Sequence, residues 1–227
     1  MKRFWTAVTV TPDRGVALDG RPVRTPGRMP LLMPTDKLAD AVADEWRAVA
    51  DAIDPRAMPL TGMANAAIDR IAPDPAIFAA GLAKYGESDL LYYRAATPDL
   101  LAARQAAAWD PLLDWARTRY DVHFETVAGV MHRPQPAATI ERLHGAVAAQ
   151  SPFALAALSP IVTLTGSLVA ALALLEGAAD AGTAWTAAMV DELWSVEMWG
   201  EDALATADRA GRREGYDAAV RMLGYLG

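Results

Sequence analysis

Pro34-Thr35-Asp36-Lys37-Leu38-Ala39-Asp40-Ala41-Val42-Ala43-Asp44-Glu45-Trp46 is where the spacing of apolar residues changes from two to nearly four. Thr35 offers the oxygen that caps a helix, and Leu38, Val42, Trp46, Val49 and Ile53 then fall on one face until Pro55 stops the run. Upstream the chain alternates. Phe4 to Thr11 reads as a strand, Thr11-Pro12-Asp13-Arg14-Gly15 as a turn, and Val16-Ala17-Leu18 meets Pro22-Val23-Arg24-Thr25 across Asp19-Gly20, a pair suited to the positive φ of a tight hairpin. A further strand, Pro30 to Met33, ends at Pro34.

Downstream the pattern is helical. Met58 to Ile71 forms one stretch closed by Pro73, and Asp74-Pro75 and Thr97-Pro98 each pair a capping residue with a first-turn proline, opening helices near 75–85 and 98–119. Pro111 marks a bend in the second, and Val122 to Val127 reads as a short strand. Helices over about 137–150, 153–176, 183–208 and 212–226 complete the chain. The expected fold class is α+β: a small antiparallel β-rich domain over 1–34, able to borrow later segments, then a larger all-helical domain over 35–227.

With 53% hydrophobic and 22% charged residues in 227, the chain can bury a core, which excludes disorder and disulfide mini-scaffolds. The absence of cysteine removes thiolate nucleophiles, iron–sulfur clusters and cysteine zinc sites. The net charge of −7 is uneven: residues 1–34 carry +4 and residues 35–227 carry −11, so most of the surface repels nucleic acid. Arginine outnumbers lysine by 18 to 3, a bias consistent with a GC-rich bacterial genome. Met1-Lys2-Arg3 runs straight into the alternating segment without the apolar block of a secretory signal, so a cytoplasmic location is expected. Residues 151–175 hold no charge, but Pro152, Pro160, Thr163, Thr165, Gly166 and Ser167 interrupt them, favouring a buried helix over membrane insertion.

Phosphate-loop, dinucleotide, zinc-protease and nucleophile-elbow signatures are missing. Glu141 and His144 match one half of a di-iron motif that has no second half, so neither metal nor cofactor is expected. The most informative segment is Glu176 to Asp208, with eight acids and no base. Wound as a single helix, Trp185 to Ala207 puts Trp185, Met189, Leu193, Val196, Trp199 and Leu204 in a core-facing stripe, with Glu192 inside it as a hydrogen-bonded acid. The opposite side presents Trp194 and Met198 ringed by Asp191, Glu197, Glu201 and Asp202. That is the composition of an interface with an apolar centre and polar rim, unless neighbouring helices cover the two apolar residues. Carboxylates one turn apart project side by side and cannot flank a glycosidic bond, which argues against a carboxylate enzyme built on Glu192, Glu197 or Glu201 with Asp89.

Several segments together resemble the ATP synthase mitochondrial assembly factor 2 family. They are Leu18-Asp19-Gly20-Arg21-Pro22-Val23-Arg24-Thr25-Pro26, Leu38-Ala39 through Glu45-Trp46, Met58-Pro59-Leu60-Thr61, Ala67-Ile68-Asp69-Arg70 and Ser88-Asp89-Leu90-Leu91-Tyr92-Tyr93-Arg94-Ala95. Gln105 with Trp109-Asp110-Pro111-Leu112-Leu113, then Gly166-Ser167-Leu168 and Glu197-Met198-Trp199-Gly200-Glu201-Asp202, extend the match along nearly the whole chain. The resemblance implies a non-enzymatic, ATP-independent chaperone that holds the unassembled alpha subunit of the ATP synthase catalytic head through its nucleotide-binding domain. The beta subunit would displace it. Without a mitochondrial presequence, the chain fits a bacterial member. Trp194, Glu197, Met198, Glu201 and Asp202 are then the expected partner-binding residues, with Trp46, Trp199 and Gly200 as structural ones. An adaptor with another partner is the alternative.

Overall fold

A computed structural model describes residues 2–227 and has the α+β architecture expected. The chain divides into two compact units, one of residues 1–78 with 150–157 and 217–227, the other of residues 79–149 and 158–216.

The first unit begins with a three-stranded antiparallel sheet, β1 (Val8–Val10), β2 (Val16–Leu18) and β3 (Arg21–Pro22), in that order. Val10 pairs with Val16 and Leu18 with Arg21. The segment expected as a fourth strand joins only through bridges, Gly15 to Leu32 and Arg24 to Pro30. Two turns at the same end of this meander are built alike. In Thr11–Gly15 and Thr25–Met29 the threonine amide donates to the carbonyl of the fifth residue, and its hydroxyl accepts from that residue's amide. The fourth residue of each, Arg14 and Arg28, sits at φ 63° and 65°, where glycine is the usual occupant.

Helix α1 (Asp36–Ala48) starts as expected, with Thr35 Oγ1 accepting from Leu38 N at 3.2 Å, but ends before Val49. Its buried face is Leu38, Ala39, Val42, Ala43 and Trp46, and the Trp46 ring meets Trp5 edge-on at 5.4 Å. Helix α2 (Pro59–Ala66) continues into a wider turn to Ile71. Its first amides are capped from α1, because Glu45 accepts from Leu60 N and Thr61 N, both at 2.8 Å. The Thr35 hydroxyl donates to the Tyr225 carbonyl at 2.6 Å, which fastens the end of the last helix to this unit.

α3 (Pro75–Ala83) opens beside the Asp74 carboxylate, which accepts from Ile77 N at 3.1 Å. In the second unit β4 (Tyr93–Arg94) and β5 (Val127–Ala128) pair in parallel, so only the end of the expected Val122–Val127 strand forms. α4 (Asp99–Tyr120) runs unbroken through Pro111, and its N-cap position is Pro98 rather than the expected Thr97. α5 (Ala137–Ala148) follows. The uncharged run forms two helices, α6 (Pro152–Thr165) and α7 (Leu168–Leu175), separated at Gly166, φ 68°, and Ser167, whose hydroxyl accepts from Ala170 N. Among the described residues no helix is long and apolar enough to cross a membrane. The residues of α7 from Leu168 to Ala173 are buried, and α7 packs on α4 and on α8 (Ala181–Ala188).

Candidate functional site

The segment expected as one helix over 183–208 is three pieces: α8, α9 (Val190–Trp199) and α10 (Ala203–Leu226), the last continuing through the expected gap before 212. Gly200 at φ 86° and ψ 172° stops α9, and Asp202 restarts the chain by accepting from Ala205 N at 2.8 Å. Each break changes the angular phase of everything after it, so winding the segment continuously assigns residues to the wrong faces.

The two tryptophans of α9 are the clearest correction. Trp194, expected outside, is 7% exposed and lies under the Arg104 guanidinium of α4, 4.9 Å from its ring centroid. Trp199, expected in the core with Leu204, is 79% exposed, and Leu204 is 82% exposed. Met198 is exposed as expected, at 52%. Gly200 packs nothing against a neighbour, since a Cβ there would meet no atom within 4 Å; its role is backbone geometry. Trp46, Trp109 and Trp185 are buried as core residues. The corner between α9 and α10 thus carries an apolar set of Met198, Trp199 and Leu204 with Glu201 and Asp202 between its members in sequence.

The acids of the base-free run are mostly answered by groups elsewhere in the chain. Glu176 meets Arg119 and Tyr120, and Asp180 caps α8 through Thr183 N. Asp191 accepts from Gln105 Nε2 at 2.6 Å, and Glu197 from Arg104 at 2.7 Å. Glu192 is the hydrogen-bonded acid expected, held by Arg209 at 3.1 Å and Arg212 at 2.6 Å, and this contact holds the Arg212 guanidinium above its ordinary value. Asp208 joins Arg212 at 2.9 Å. Glu201 has the loosest pairing, 4.0 Å from Arg209, and stays exposed. Of the five residues expected to bind a partner, Met198, Glu201 and Asp202 lie at the exposed corner. Glu197 is exposed but paired with α4, and Trp194 is packed beneath it. Leu204 and Arg104 were missed. Gly200 followed by Asp202, a stop and a start, was the signal that would have found Leu204.

Asp89 is a clamp, fully buried, accepting from Leu91 N at 3.0 Å and Val169 N at 2.9 Å. Burial pushes its carboxyl up to about 6 despite these hydrogen bonds. Other quoted segments also meet in pairs. Thr25 and Gly27 bind Asp69, Glu45 binds Leu60 and Thr61, Leu90 N donates to the Gly166 carbonyl, and Ala95 N donates to Gln105. Trp109 Nε1 donates to the Ala187 carbonyl at 2.7 Å with Arg94 stacked at 5.0 Å. The motifs are largely the fastenings of the fold, and the α9–α10 corner is the quoted segment whose apolar side chains are left in solvent.

Residues 2–117 match the family model described as ATP12 chaperone protein. The whole chain superposes on the crystal structure of Atp12 from Paracoccus denitrificans with a TM-score of 0.94 at 43% identity, covering 98% of that chain. The chain belongs to the ATP12 chaperone family. This bears out the resemblance carried by the quoted segments. A mutant of the same Paracoccus denitrificans protein, Atp12p, gives a TM-score of 0.93 at 43% identity, again with all of this chain and 98% of that chain covered. Atu1473 from Agrobacterium tumefaciens gives 0.93 at 42% identity, covering this chain fully and 86% of its own. The family is described as one of chaperones, which directs attention to the exposed apolar corner.

Proposed function

We propose that this protein is an ATP-independent assembly chaperone that holds the unassembled alpha subunit of the ATP synthase catalytic head through its nucleotide-binding domain. It releases that subunit to the beta subunit, acts in the bacterial cytoplasm, and carries no catalytic site or cofactor. The observation that carries this reading is the exposure of Met198, Trp199 and Leu204 at one helix corner of an ATP12 family chain. An unassembled subunit exposes apolar surface that aggregates, and a rigid aromatic anchor with acidic neighbours offers it a complementary cover. Glu201 and Asp202 set register and encounter rate with a basic rim on the client. In this division of labour the β meander belongs to the first compact unit, and the corner is presented by the second.

The test is co-expression of the cognate alpha subunit with and without this protein, followed by sizing chromatography. The expected result is a soluble discrete complex that the beta subunit dissolves. Trp199→Ala and Glu201→Lys should each weaken the complex at least tenfold, about 1.4 kcal/mol or more, with unchanged helical content. Alpha subunit that aggregates equally in both samples removes the client from this reading. A discrete complex unaffected by either substitution moves the docking site elsewhere.

A further inference from the structure

Arginines lie over four tryptophan rings in this chain: Arg3 over Trp5 at 5.7 Å from the ring centroid, Arg94 over Trp109 at 5.0 Å, Arg104 over Trp194 at 4.9 Å and Arg213 over Trp185 at 5.4 Å. In two of these the same guanidinium also holds a carboxylate that follows the ring closely in sequence. Arg94 pairs with Asp110, the residue after Trp109, and Arg104 pairs with Glu197, three residues after Trp194. The combination suits a guanidinium: the electron-rich ring face takes its flat side, and the carboxylate takes the N–H groups at its edge.

Two other tryptophans are covered by rings, Trp46 by Trp5 at 5.4 Å and Trp115 by Tyr120 at 5.5 Å. Trp199 differs from all of these. It is 79% exposed, and among the described residues neither a cation nor another ring lies against it. Yet it is followed by acids at the same short spacing as Trp109 and Trp194, with Glu201 two residues on and Asp202 three.

The bases of this part of the fold are engaged elsewhere. Arg104 is taken by Glu197, and Arg209 stands 3.1 Å from Glu192 against 4.0 Å from Glu201. Asp202 accepts from Ala205 N, and the Glu201 side chain stays 66% exposed. An indole and a carboxylate left in solvent, with Met198 and Leu204 exposed beside them, thus repeat in the open the arrangement that closes over Arg94 and Arg104 inside the fold. The acids also turn away an anionic lipid surface or a nucleic acid as the occupant.

We propose that the α9–α10 corner receives an arginine side chain of the partner protein, its guanidinium stacked on Trp199 and paired with Glu201, while Met198 and Leu204 cover apolar neighbours of that arginine. The proposal rests on the corner being the docking face and gives that face its chemistry. A lysine, a compact and strongly hydrated point charge, cannot lie flat on the ring and present a fork to the acid at once.

The probes are three terminally blocked tripeptides, each with leucine at both ends and arginine, lysine or glutamine in the middle. They are titrated into the full-length ¹⁵N-labelled protein while the assigned Trp199 indole and Gly200 amide resonances are followed. The arginine peptide should shift both saturably and bind about threefold or more tighter than the lysine peptide, with the glutamine peptide weaker still. Trp199→Leu keeps apolar bulk without the indole, and Glu201→Gln keeps shape without the charge. Both positions are exposed, so each variant keeps its fold, and each should remove the preference for arginine as read from the Gly200 amide. Unmoved resonances, equal affinity for the three peptides, or a preference that survives both substitutions overturns the proposal. Co-expression with the alpha subunit separates this inference from the client: a complex weakened by Trp199→Leu without any arginine preference strikes the arginine alone, whereas an arginine preference without a complex strikes the alpha subunit alone.

Discussion

Arg104 of α4 stacks on Trp194 of α9 at 4.9 Å from the ring centroid while its Nη1 donates to the Glu197 carboxylate at 2.7 Å. One guanidinium therefore roofs the buried indole and ties down the acid one turn further along α9. This arrangement removes Trp194 and Glu197 from the set available to a partner and leaves Met198 and Trp199 as the apolar ones.

Arg104→Ala should cost about 1–2 kcal/mol, the sum of a partly shielded cation–π contact and an ion pair whose members are both about half exposed. Trp194 emission should shift to the red as the roof is lost, read as the difference from the same substitution in a Trp194→Phe background. Arg104→Lys should restore charge but little of the stack. An unshifted spectrum would show that other side chains cover the indole.

Asp89 makes stability depend on pH in a definite direction. Burial pushes its carboxyl up to about 6 in the folded protein from an ordinary value of 3.8, so the folded state binds the proton more tightly. This contribution to stability is complete below about pH 4 and is lost as pH rises to about 6. Asp89→Asn lacks this titration. The unfolding free energy of the variant relative to the parent should rise by on the order of 2–3 kcal/mol between pH 4 and pH 7, measured by denaturant titration. A gap that stays constant with pH would refute the assignment.

Gly200 combines φ 86° with ψ 172°, a region that side chains with a Cβ essentially do not enter. Gly200→Ala meets no neighbouring atom, so its cost is conformational, on the order of 1–3 kcal/mol. Thermal unfolding should fall by several degrees. Because the backbone there sets the angle between α9 and α10, client binding should fall further than stability predicts.

Glu45 joins α1 to the start of α2 through Leu60 N, Thr61 N and the Thr61 hydroxyl. Glu45→Ala should cost about 1–2 kcal/mol, as for a lost helix cap with buried donors. Hydrogen exchange at the Leu60 and Thr61 amides should quicken ahead of the rest of α2. Exchange that quickens uniformly would mean the cap is not local.

The parts of this fold that were legible in the sequence are those governed by neighbours in the chain. Thr35 as a cap, Asp74 before Pro75, the Asp19-Gly20 hairpin and the passage from alternation to helical spacing all depend on a few adjacent residues. The site was less legible for two physical reasons. Helical phase accumulates, so the break at Met189 misplaces the residues of α9, Trp199 among them, and the interruption of three residues at Gly200–Asp202 misplaces Leu204 after it. Charge compensation is non-local: Arg104 and Glu197 stand 93 residues apart, and no window of sequence joins them. The eight acids therefore looked more exposed to a partner than they are.

The hydrogen bond from Thr35 to Tyr225 spans 190 residues, and residues 217–227 belong to the same compact unit as residues 1–78. On a ribosome, which releases the chain from its amino end at roughly 5–20 residues per second, that unit waits roughly seven to thirty seconds for its last strut. Through that interval the start of α1 lacks the hydrogen bonds that Thr35 and Lys37 make to the carboxyl-terminal residues. Nascent chains stalled before residue 217 should therefore be cut by protease within residues 1–78 where the finished protein resists.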